Sequence, residues 1–128
     1  MLAALLLRRL HVGWAWFVVI GNGLAGVWAL GAHRLEALRR RALWWFTIVV
    51  EVSMFVQVAL GVAVVNAEHL DPPKFHMLYG FFGLMFIGML YSYRTTSPWV
   101  RDRVYLVYGA GGLFIMGLGI RAMLVAGR

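Results

Sequence analysis

The 128-residue sequence has no cysteine, three prolines and five acidic side chains. The missing thiols exclude disulfides, thiolate metal sites and cysteine nucleophiles, and they leave the redox compartment open. The sequence contains no glycine-rich phosphate loop, no HExxH and no GxSxG. Its acids, Glu36, Glu51, Glu68, Asp71 and Asp102, are too scattered to form a paired-carboxylate centre. An enzymatic role is left open, with the balance against it. Charged residues make up only 13% of the chain, against ~25% in a soluble domain.

Long apolar runs fill the space those residues leave. Hydrophobic residues reach 62%, more than a soluble core of this size could hide. The clearest run is Ala42 to Val65, whose only ionisable side chain is Glu51 and which follows Arg39, Arg40 and Arg41. At ~1.5 Å per residue it rises ~36 Å as a helix, enough to cross a ~30 Å hydrocarbon slab with some tilt. Val12 to Ala32 is likewise free of charge and reads as the first span, with Met1 to Leu10 as a lead-in lying on the membrane surface. A secretory signal would place its charge ahead of its apolar core, and Arg8 and Arg9 stand in the wrong order for one.

Two further spans follow. Asp71 with Pro72 and Ser97 with Pro98 give cap-then-proline signals at the starts of the third and fourth helices. The expected fold is all-α, a single four-helix transmembrane bundle with short loops and spans over about 12–32, 42–65, 74–93 and 103–126. Its net charge of +7 does not point to nucleic acid, because the basic residues flank apolar runs, as in proteins that meet anionic headgroups. The expected partners are the lipid bilayer and either other membrane subunits or further copies of the chain. Connectors 33–41 and 94–103 hold Arg34, Arg39, Arg40, Arg41, Arg94, Arg101 and Arg103, whereas Arg8, Arg9, Lys74, Arg121 and Arg128 lie on the other side. Positive-inside logic therefore puts both connectors in the cytoplasm and both termini outside a bacterial plasma membrane.

Glu51 is the sharpest anomaly, since a carboxylate near the middle of a span is costly unless neutralised or paired. Asn22 lies at a matching depth and is its expected hydrogen-bond partner in a clasp between spans one and two; a charge on a partner subunit and a proton- or cation-transport role are the competing readings. Gln57, two turns further on, extends the polar face of span two. Arg121 lies too far along span four to reach Glu51 and is expected to meet Glu68, Asp71 or headgroups. The rows Ala25, Ala29, Ala32 and Gly109, Gly112, Gly119 mark close helix contacts, within the bundle or with another subunit.

The two halves look alike. Leu10-His11 opens span one as Phe75-His76 opens span three, and FVQVALG in span two resembles FIMGLG in span four, as duplication of a helical hairpin would leave them. His11 and His76 then fall at similar depth on diagonally related helices, near Gly13, Gly21, Gly80 and Gly83. Two neutral imidazoles facing across a bundle, with small residues making room, are what bis-histidine haem ligation requires. In arrangement this resembles the membrane b-type cytochromes, and the resemblance implies haem b with His11 and His76 as axial ligands. Interfacial histidines bonded to loops, and an irregular zinc or copper site with Glu68, His69 or Asp71, are the competing readings. His33 has no matching histidine in span three, so a second haem is not expected. The leading functional expectation is an accessory subunit of a larger, respiratory-type membrane complex, followed by a single-haem electron carrier and then a transporter centred on Glu51.

Overall fold

The computed structural model describes residues 1–126, so Arg128, counted above with the termini, lies outside them. The chain is an all-α bundle of α1 (Leu2–Arg34), α2 (Arg41–Glu68), α3 (Lys74–Thr96), α4 (Pro98–Asp102) and α5 (Val104–Ala126), with one 3-10 turn at Glu36–Leu38. Four of these helices, α1, α2, α3 and α5, are long and apolar enough to cross a membrane. They run alternately up and down. One end of the bundle carries the termini and the 69–73 loop, and the other carries the two basic connectors.

Two local expectations are corrected. Met1 to Leu10 is not a separate surface piece: from Leu2 onward it is part of α1, because nothing in Leu2–Val12 breaks a helix. Asp71 does not cap α3, which begins at Lys74 after Pro73 with no side-chain cap. Two successive prolines hold the chain extended before the helix starts, since the residue before a proline is steered away from helical angles. At Ser97 the signal holds: its hydroxyl accepts from the Val100 N–H at 3.4 Å, with Pro98 opening α4. That helix is short, and Arg103 (φ −122°, ψ 30°) separates it from α5.

The helices pack unequally. α1 lies between α2 and α5, α3 leans mainly on α5, and the α2–α3 seam is sparsely packed. The small-residue rows meet inside the bundle. Ala25, Ala29 and Ala32 are buried, and Gly26 faces Gly109 and Gly112 across α1 and α5. A Cβ on Gly112 would lie 2.7 Å from the Asn22 carbonyl oxygen and 2.8 Å from the Gly26 Cα, so the two backbones touch. Without a hydrophobic drive between helices in lipid, this close approach is what associates them. The outward surfaces carry large apolar side chains such as Trp16, Leu24, Phe81 and Phe114, suited to lipid.

Aromatic and basic side chains gather at the connector end. Trp44 packs on Tyr105 and Tyr108 with ring centroids 5.5 and 5.3 Å apart, Arg94 lies 4.4 Å over Trp44, and Arg39 lies 5.2 Å over Tyr105. Arg39 also donates to the carbonyls of Ala32 and His33, closing the exposed end of α1 where cations are favoured.

Candidate functional site: a histidine pair across the bundle

His11 and His76 meet. Their ring centroids lie 6.0 Å apart with planes at 84°, one ring from α1 and the other from α3, the diagonal pair of the bundle. His76 Nδ1 lies 2.9 Å from the Ala122 carbonyl oxygen of α5. A carbonyl only accepts, so Nδ1 carries the hydrogen and neutral His76 keeps its lone pair on Nε2. Such a bond from the remote nitrogen is what fixes tautomer and ring orientation in metal-binding histidines.

His11 is held differently. The Gln57 amide of α2 donates to the His11 backbone oxygen at 2.8 Å, and the imidazole rests on Gly61, where a Cβ would come within 3.0 Å of Cε1. Only a residue without a side chain leaves that ring its place. His11 Nδ1 and Gln57 Oε1 are both buried with no hydrogen-bond partner among the described residues. Native interiors rarely leave such atoms unsatisfied, so each has capacity for a further partner.

Open space surrounds the pair. A hollow lies on one side, walled by Ala15, Val58, Gly80, Gly119 and Ala122 among others. A second, larger one opens along the loose α2–α3 seam past Gly61, Val62 and Phe81. Both reach His11, Val58, His76 and Gly80. The glycines are sorted by the structure. Gly80 borders the space as expected, whereas a Cβ on Gly21 or Gly83 would strike Val50 or Met54, so those two serve helix packing, and Gly13 faces outward.

Two expected pairings are replaced. Asn22 does not clasp Glu51: its amide donates to the carbonyls of Val18 (2.8 Å) and Val50 (3.3 Å), while the Glu51 carboxylate accepts from the Tyr91 hydroxyl of α3. Arg121 meets neither Glu68 nor Asp71. Its Nε lies 3.4 Å from the Tyr79 hydroxyl, and Glu68 is taken by Arg8 at 2.6 Å. Among the described residues no three His, Cys, Asp or Glu side chains gather as a metal would need, so no zinc or copper site with Glu68, His69 or Asp71 forms.

Tyr91, Gly61 and the Ala122 carbonyl were not singled out from sequence. Tyr91 stands near the connector end of α3, and that position was its one available signal. Nothing in the sequence marks one glycine as a seat for a ring, or one carbonyl as a histidine's partner. No protein-family model, curated protein or solved structure matches the chain.

Proposed function

We propose that the protein is a membrane electron carrier holding a single b-type haem between His11 and His76. The observation that carries this reading is the pair itself, two imidazoles brought together across the bundle diagonal with ring centroids 6.0 Å apart and planes at 84°. A transition metal stands about 2 Å from an imidazole nitrogen, so two opposed rings with a metal between them have centroids roughly 6 Å apart. Bound there, haem iron supplies one-electron chemistry by alternating between ferric and ferrous states.

This chain's residues supply the rest. The Ala122 carbonyl orients His76 with Nε2 free, and Gly61 seats His11. Gly80 and Ala122 keep larger side chains out of the hollow, and apolar walls exclude water. Such walls favour the less charged, reduced centre. With so little surface outside the membrane, the carrier works inside a larger assembly of respiratory type, which keeps the accessory-subunit expectation as its setting. On the positive-inside orientation the pair lies towards the outer face of a bacterial plasma membrane. A transport role centred on Glu51 gains less support, because Glu51 is 4% exposed, is bonded to Tyr91, and lines neither of the two hollows.

The test is an absorbance spectrum of protein made with ample haem supply. The expected result is a Soret band with a low-spin bis-imidazole signature, lost in both His11→Ala and His76→Ala. A colourless wild-type protein that takes up no added haem would end the reading.

A further inference from the structure

Among the described residues, the space around the histidines has a single arginine in its wall. Arg8 stands three residues before His11 in α1, on the same face and one turn nearer the termini end, and it lines the larger hollow with both histidines. Its Nε and Nη2 donate to one oxygen of Glu68, at 3.1 and 2.6 Å. A guanidinium has five N–H donors, so this pairing leaves donors for a second acceptor. The side chain of Arg8 is 51% exposed while that of Glu68 is 18% exposed. The carboxylate is thus the tucked-in partner, and the guanidinium stands out at the mouth.

A b-type haem carries two carboxylates on one edge of an otherwise apolar disc. Burying that edge without a partner is expensive, so its charge selects which way round the disc enters. Among the described residues, the walls of both hollows apart from Arg8 are apolar or neutral except for Asp71, which repels a carboxylate. Resting on the haem reading above, we propose that Arg8 receives a carboxylate of the tetrapyrrole, so that its acidic edge faces the termini end. Glu68 holds the guanidinium in position at the mouth and competes with the incoming carboxylate for it.

Titrating the purified, haem-free protein with haem and with haem dimethyl ester, followed by absorbance and by thermal unfolding, tests this. A charge-assisted bond predicts that wild type prefers the diacid over the ester by about tenfold or more. In Arg8→Gln that preference is expected to vanish while ester affinity is kept. In Glu68→Gln, which retains the cation and removes its competitor, the preference is expected to rise. Haem that binds wild type with a bis-imidazole spectrum, but whose preference over the ester is the same in Arg8→Gln or Glu68→Gln, overturns the Arg8 assignment and leaves the haem reading standing. Failure of both compounds to bind wild type overturns both.

Discussion

Tyr91 donates its hydroxyl hydrogen to the Glu51 carboxylate, joining α3 to α2 across the seam where those helices otherwise touch least. The bond lies towards the connector end, whereas the histidine pair lies towards the termini, with Met54 against Gly83 and Val58 against Gly80 between them. The seam is therefore fastened at one end and open at the other. On the proposed haem reading, the open end is where an apolar disc would enter from the bilayer.

Removing that hydroxyl strands a buried carboxylate. Tyr91→Phe is expected to lower stability by roughly 1–3 kcal/mol. Glu51→Gln, whose amide oxygen still accepts, costs less. In Tyr91→Phe with Glu51→Leu the losses fall short of their sum by about 0.6 to 1.7 kcal/mol, the range measured for bonds between helices in lipid. Unfolding in detergent, followed by circular dichroism, reads all of these. Strict additivity would show that the two side chains do not act together.

Asn22 gives a sharper contrast, because its amide hydrogens face the carbonyls of Val18 and Val50 in a site only 1% exposed. Asn22→Asp keeps the shape and turns donors into an acceptor. The expected cost is about 3 kcal/mol, the scale for a carboxylate at mid-span, against a smaller loss for Asn22→Ala. If the two variants unfold together, the amide's donors are not what the site requires.

The glycines divide into two groups with opposite expected behaviour. At Gly26 a Cβ would lie 2.8 Å from the Gly109 carbonyl oxygen, and at Gly112 it would meet backbone at similar range. Neither neighbour can turn aside as a side chain would, so alanine there pushes α1 from α5 at a cost of at least ~2 kcal/mol. Gly13, Gly88 and Gly117 meet nothing within 4 Å. Alanine at those three is expected to be neutral or stabilising by up to about 1 kcal/mol, through helix propensity alone. The same unfolding assay separates the groups, and equal losses in both would mean that α1 and α5 do not approach as closely as described.

Depth was legible in the sequence, and direction around the helix axis was not. A fixed rise per residue puts Glu51 and Asn22 at one level, and they are at one level. It does not say that Asn22 turns to the Val50 carbonyl while Glu51 turns to Tyr91 on another helix. The histidine pair was legible because the first and third helices of an up-down four-helix bundle are diagonal and the apolar runs put His11 and His76 at similar depth. Arg121 misses Glu68, one of its expected partners, for the same reason: Glu68 faces α1, where Arg8 reaches it first. Cap signals behaved likewise. Ser97 with one proline leaves the chain free to bring its hydroxyl to Val100, whereas the second proline after Asp71 delays the helix past its reach.

Gly61 offers the most direct link between packing and the proposed site. The His11 ring rests against it, with Cε1, Nδ1 and Nε2 at 3.0, 3.5 and 3.6 Å from where a Cβ would stand, so any side chain there displaces the ring. A leucine adds branched bulk as well and intrudes on the larger hollow, which Gly61 lines. Because the clash falls on a side chain beside open space rather than on backbone, the bundle can absorb it, and overpacking is expected to cost no more than about 1–3 kcal/mol. Gly61→Leu should therefore stay folded and lose haem affinity by tenfold or more, while Gly13→Ala, two residues from His11 but facing outward, keeps it. Haem titration of the two variants, with circular dichroism to confirm helicity, gives the comparison. Wild-type affinity in Gly61→Leu would mean that His11 does not need its seat on α2, and the ligand role given to it would fail with that result.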